Sequence, residues 1–233
     1  MHNQSTRMHW TFTPFASLTV AWTVFAVGAL LVSEKRAWRA GIWLSKPAAS
    51  LGFVALACGA PEATASAYDY AGRLLIALVA CALGDVALIP RGDGPSFLAG
   101  LGCFGLGHGL YAAAFWQLRP QLSATVLAAV LMLAVAVATL RWLRPHVPAP
   151  LRGAVVGYIA VIGVMVAFAA GASASTGDVR PVVGAVAFAI SDLSVARERF
   201  VHASFTNLAW GLPLYYAAQL TLAASAWDLR APN

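Results

Sequence analysis

Two aspartates, Asp85 and Asp192, sit in stretches that belong in lipid, LLIALVACALGDVALIP and VVGAVAFAISDLSVA. A carboxyl group costs free energy in hydrocarbon, so an acid in such a run is a functional candidate, and two invite a joint role. Two neighbouring carboxyl groups can divide acid and base work, because burial and mutual repulsion keep one protonated while the other ionises. The bland alternative for each acid alone is a helix-to-helix hydrogen bond or ion pair. A second tier of polar residues lies further along the chain. His108 and Tyr111 are three apart and Tyr215 and Gln219 four apart, so each pair shares a helix face, and the two faces are candidates to line one cavity. Packing or interfacial anchoring is the alternative for His108, Tyr111, Tyr215 and Tyr216. Asn207 is closer in depth to the acids and is a candidate hydrogen-bond partner for one of them.

Other chemistries find little support. Zinc would need clustered ligands, and only His108 of the five histidines lies well inside an apolar run. Cys58, Cys81 and Cys103 lack zinc or disulfide spacing and read as small packing residues, so neither metal nor cofactor is expected. A nucleophile elbow G-x-S-x-G is absent. The glycines at 100, 102, 105, 107 and 109 suit close helix packing, and no GK[ST] follows them to make a nucleotide loop.

The elements that position these residues follow from composition. With 60% hydrophobic and 10% charged residues, the chain is an integral membrane protein. Eight apolar segments, about 14–32, 42–59, 72–90, 97–116, 122–140, 152–171, 180–196 and 204–224, predict an all-α, polytopic fold of about eight transmembrane helices in a single domain, 1–233. Helices are required because an open strand edge cannot survive in hydrocarbon and barrel alternation is absent. Segment two carries Lys46-Pro47 in its first turns, where Lys46 is expected to snorkel. Segment seven is short and runs into Arg197-Glu198-Arg199. The N-terminal MHNQSTRMHWTFTP does not read as a removed signal peptide. Glu34, Glu62, Asp69, Asp93, Asp178 and Asp228 fall near predicted ends or connections and read as solvated.

The net charge of +6 sits mostly at the ends of apolar runs, as topology determinants do, and implies no nucleic-acid partner. One side collects Lys35, Arg36, Arg39, Lys46, Arg91, Arg141, Arg144, Arg152, Arg197 and Arg199; the other has Arg7, Arg73, Arg119, Arg180 and Arg230. The positive-inside tendency makes the first side cytoplasmic and puts both termini outside, in a bacterial inner membrane or another plasma membrane. Asp85 is six residues before Arg91 and Asp192 five before Arg197, so both acids lie ~7–9 Å inside the cytoplasmic end of their helices. A faint repeat supports a common centre. Asp85 is followed 23 residues later by His108, and Asp192 by Tyr215, which suggests two parallel four-helix repeats with the site at their interface.

The ordered motifs GD at 84–85, HxxY at 108–111, SD at 191–192 and YYxAQ at 215–219 resemble the YhhN-like, transmembrane-protein-86 family of lysoplasmalogenases. The resemblance spans roughly 72–222, and Lys46-Pro47 also fits; where an Asn-Arg-Phe-like turn is expected, this chain has Ala196-Arg197-Glu198-Arg199-Phe200. It implies an eight-helix hydrolase that cleaves the vinyl ether of a lysophospholipid within the bilayer, releasing fatty aldehyde and a glycerophospho-alcohol. Asp85 and Asp192 would be its catalytic acids. Lys46, Arg197 and Arg199 would be available to the substrate phosphate, with snorkelling or topology marking as the alternative for each. An intramembrane aspartyl protease or a proton-coupled transporter would use the same two acids, and both remain open; the protease GxGD form is missing because Ala82 replaces its first glycine.

Overall fold

Each apolar run folds as a helix in the computed structural model, which describes residues 13–60, 66–90 and 94–229. The expectations placed on the N-terminal segment and on Arg7, Glu62, Arg91, Asp93 and Arg230 lie outside the described residues. The helices are α1 (Pro14–Lys35), α2 (Arg39–Cys58), α3 (Tyr70–Ala87), α4 (Pro95–Gln117), α5 (Leu122–Leu143), α6 (Arg152–Thr176), α7 (Arg180–Ala196) and α8 (Phe205–Ser225). Local chemistry explains several starts. Pro14 and Pro95 open α1 and α4, and Pro181 lies in the first turn of α7; proline suits that turn because the N–H it lacks would have no helical partner there. Thr13, Asp69 and Ser204 cap α1, α3 and α8 by accepting from the N–H groups of Ala16, Gly72 and Thr206. Asp69 is therefore a capping residue.

Six helices, α1 to α6, are long and apolar enough to cross a membrane by length and composition. The other two, α7 and α8, carry much of the polar inventory: Ser191, Asp192 and Ser194 on the 17-residue α7, and Asn207, Tyr215, Tyr216 and Gln219 on α8. Such residues suit helices that pack in the middle of a bundle. α8 packs on α7 and also on α1, α2 and α3. Consecutive helices pair as hairpins, α1 with α2, α3 with α4, α5 with α6 and α7 with α8. Contacts of α4 with α6 and of α2 with α8 join the two halves in corresponding places. α5 is the outlier. It packs on α6 and on no other helix to a comparable extent, and only Leu143 of its residues is buried.

A π-helical turn, Arg197–Val201, prolongs α7 and ends where the His202 N–H donates to the Arg197 carbonyl at 2.8 Å. At the opposite end of the bundle, Arg180 ties three segments together. It pairs with Asp178, donates to the Ala224 carbonyl at 2.9 Å and pairs with Asp228 at 2.7 Å. This corrects the reading of Asp178 as solvated: Asp178 is buried beside Arg180, which desolvates both and requires the pairing. Asp228 remains exposed at the surface end of the network. The cysteines differ too, since Cys81 is buried but Cys58 faces outward and so is not a packing residue of the core.

Candidate active site

Asp85 lies two residues before the end of α3, and Asp192 four before the end of α7. Both open onto one cavity of about 630 Å³, bounded by all eight helices at the end where the odd-numbered ones finish. Its walls are mainly apolar, with Met132, Val135 and Ala136 from α5, Ile162 and Val166 from α6 and Val186 and Ile190 from α7. Along α5 the lining runs from Met132 to Leu143, a depth of ~16 Å at the helical rise. Charged groups gather at the shallow end: Glu34, Lys46, Glu198 and Arg199 line it together with the two acids.

The neighbours of Asp85 all bring hydrogens. Ser50 donates to Oδ2 at 2.7 Å, Tyr215 donates to the same oxygen at 2.8 Å, and the Lys46 ammonium lies 3.7 Å from Oδ1. Lys46 stands in the third turn of α2, inside the bundle and 9% exposed, so it is not snorkelling to the headgroups. Tyr216 supports the strand of contacts from behind by donating to the Lys46 carbonyl at 3.3 Å.

Asp192 is bound differently. Its Oδ2 accepts from the Tyr158 hydroxyl at 3.2 Å and lies 3.2 Å from Nε2 of His108. His108 is fully buried, its ring stacked on Phe188 with centroids 4.3 Å apart, and its Nδ1 is 2.6 Å from the Phe104 carbonyl. Phe104, Phe188 and Tyr215 pack edge to face or tilted between the two acid clusters, with centroids 5.4 to 6.2 Å apart.

Helix packing fixes these positions. Gly84 precedes Asp85 and Gly107 precedes His108; a Cβ on the first would come within 2.8 Å of the Phe104 ring, and one on the second within 2.6 Å of Cys81 Sγ. Of the five glycines of α4, Gly100 and Gly107 make such close approaches, whereas Gly102 has open space beside it.

The repeat spacing acquires a geometric meaning. Each acid is served by the residue found 23 positions after the other acid: Tyr215 binds Asp85, and His108 meets Asp192. Each also accepts a hydroxyl from the second helix of its own half, Ser50 from 35 residues earlier and Tyr158 from 34 earlier. Ser50 and Tyr158 are absent from the sequence-derived set, and because their offsets differ by one residue no common repeat spacing points to both.

The remaining candidates divide. Arg199 lines the cavity with its guanidinium 4.1 Å above the Phe97 ring, whereas Arg197 is exposed and away from it. Tyr111 and Gln219 do face one another, Tyr111 donating to Oε1 at 2.6 Å, but they are sealed in the core rather than lining the cavity. Asn207 binds neither acid. It donates to Glu198 Oε2 at 2.9 Å and to the His202 carbonyl at 2.8 Å, closing the loop after the π-helical turn. Among the described residues no group of three His, Cys, Asp or Glu is placed to hold a metal ion.

The arrangement offers a proton donor or acceptor at two points of one apolar chamber, with Lys46 inside it and Arg199 on its rim. The sequence model of the YhhN family matches residues 41–226, which includes every residue of the two clusters. A bovine protein, lysoplasmalogenase TMEM86A of Bos taurus, is 32% identical over 197 residues, covering 82% of this chain and 75% of its own length. Lysoplasmalogenase TMEM86A of Homo sapiens matches with the same identity and coverage. No solved structure matches the chain.

Proposed function

The chain belongs to the YhhN family, and from that premise we propose that it is an integral membrane hydrolase that cleaves the vinyl ether bond of lysoplasmalogens, alkenyl-glycerophosphocholine or alkenyl-glycerophosphoethanolamine. The products are a fatty aldehyde and a glycerophospho-alcohol. The observation that carries the reading is the shared cavity: two acids of different surroundings line one apolar chamber deep enough for part of a single lipid tail. The relatives' names supply the substrate class.

Vinyl ether hydrolysis begins with protonation of the β-carbon, which turns the ether into an oxocarbenium ion. Water then adds to the cationic carbon, and the resulting hemiacetal collapses. The reaction asks for one carboxyl group that holds a proton and one carboxylate that stabilises the cation and takes a proton from water. Asp85 and Asp192 are the pair for that work. No cofactor is required. The tail lies along Met132, Ile162 and Val186, and the substrate phosphate stays at the mouth beside Arg199, with Lys46 below it. Tyr215 orients Asp85, while Tyr111, Tyr216 and Gln219 hold α2, α4 and α8 in place behind the site. The excess of basic residues at the ends of the odd-numbered helices supports a cytoplasmic mouth.

The test is aldehyde release from purified protein in detergent, with choline and ethanolamine lysoplasmalogens and with the saturated alkyl ether as control. Release from the vinyl ethers alone, lost in folded Asp85→Asn and Asp192→Asn, is the expected result. An inactive wild type across headgroups and tail lengths would overturn the assignment.

A further inference from the structure

The two carboxyl groups differ in how many hydrogens their partners bring, and we infer that Asp192, 3.2 Å from His108 Nε2, is the acid that delivers a proton to the alkenyl carbon, while Asp85 is the carboxylate. This rests on the lysoplasmalogenase reading of the site. The Phe104 carbonyl can only accept, so His108 Nδ1 at 2.6 Å from it carries the ring hydrogen. A neutral ring then presents a lone pair at Nε2, which is buried without an aligned hydrogen-bond partner and lies 3.2 Å from an Asp192 oxygen. Two acceptor atoms do not approach to that distance without a proton on one of them. In so apolar a pocket, against Phe188 and the edge of Tyr158, the neutral form, carboxylic acid beside neutral imidazole, is favoured over separated charges. His108 is its only ion-pair partner among the described residues.

Asp85 has the opposite accounting. Tyr215 and Ser50 direct hydroxyls at Oδ2, and the Lys46 ammonium sits beside Oδ1, so its partners favour the charged form and leave Oδ1 open to take a proton during turnover. The exposures agree with the roles. The Asp192 side chain is 13% exposed, toward the cavity, and that of Asp85 is 3%.

The proton count closes over one turnover. The Asp192 carboxyl gives its proton to the β-carbon, whose π electrons form the new C–H bond and leave the positive charge shared by the α-carbon and the ether oxygen. Water bonds to the α-carbon and loses a proton to Asp85. Asp85 passes that proton to the glycerol oxygen as the C–O bond breaks, and the hemiacetal hydroxyl returns its proton to Asp192 as the aldehyde forms. One water is consumed and both acids end in their starting states. Asp192 is the catalytic acid, and His108 is a positioning residue that acts through it.

Infrared difference spectra of wild type, Asp85→Asn and Asp192→Asn at neutral pH read the protonation directly, whether or not substrate is present. The expected result is a protonated-carboxyl stretching band that survives Asp85→Asn and is lost in Asp192→Asn. A band lost in Asp85→Asn instead, or no such band in wild type, overturns the assignment. Kinetics test the His108 role: His108→Gln, whose amide oxygen can accept the Asp192 proton, should stay within about tenfold of wild-type kcat, and His108→Phe should lose about a hundredfold at nearly constant KM. A folded His108→Phe with wild-type kcat also overturns it. If the bands assign as expected but no lysoplasmalogen is cleaved, the substrate reading fails while the proton assignment stands.

Discussion

Around Asp85 and Asp192 the fold builds the same scaffold twice and finishes it differently. In both places an acid near the end of the third helix of a half accepts a hydroxyl from that half's second helix and meets a ring from the other half's fourth helix. The difference lies in what is added. Lys46 is added beside Asp85, and where Tyr215 meets Asp85 with a phenol, His108 meets Asp192 with an imidazole. An ammonium nearby favours an ionised carboxyl group, and a ring nitrogen whose other side is already a donor favours a protonated one. In the proton assignment inferred above, two copies of one architecture reach opposite proton states through a handful of side chains.

The severest way to break this contrast is to neutralise each acid. Asp192→Asn should lower kcat for aldehyde release by about four orders of magnitude, and Asp85→Asn by about two, because an amide cannot replace a proton donor but can still present an oxygen to a cation. Equal losses would remove the distinction between the sites. The next largest effect concerns stability. Lys46→Met leaves Asp85 buried without its cation and should destabilise the fold by about 3 kcal/mol in detergent unfolding, whereas Lys46→Met with Asp85→Asn should recover most of that. No recovery in the double variant would mean that Lys46 acts through packing. Smaller again is the comparison of the two phenols. Tyr215→Phe, which removes the 2.8 Å bond, should lower kcat about tenfold, and Tyr158→Phe, which removes the 3.2 Å bond, about threefold. The smallest effect separates the two arginines: Arg199→Ala should raise KM a few-fold, while Arg197→Ala changes it by less than about twofold.

Hydropathy made the eight helices legible, because a bilayer demands long apolar runs and punishes charge. The structure keeps all eight and lengthens several at their ends, as with α1, which reaches Lys35, and α6, which reaches Thr176. The acids were legible for the same reason. Their partners were harder to read, since periodicity shows that two residues share a face but not what that face meets. Tyr215 and Asp85 are 130 residues apart, and Tyr111 and Gln219 are 108 apart. Lys46 misled because a lysine near a proline and a helix start ordinarily snorkels, and only the third dimension places Asp85 opposite it. Asp178 misled for a related reason: position near a helix end says nothing of the arginine two residues on that turns back to cover it.

The loose attachment of α5 bears on how the reaction runs forward. That helix packs mainly on α6 and yet supplies a long stretch of the chamber's apolar lining, so one flank of the chamber is a single helix with its outer face uncovered by the rest of the bundle. For the proposed hydrolysis this makes the chamber a boundary between two phases. The long-chain aldehyde partitions into the bilayer, held there by ~0.8 kcal/mol per methylene, while the phosphorylated alcohol dissolves in water. Each product departs where the other cannot follow. Reversal would need both to meet again across that boundary, and so the hydrolysis is drawn onward by phase separation without any need for the protein to bind its products weakly.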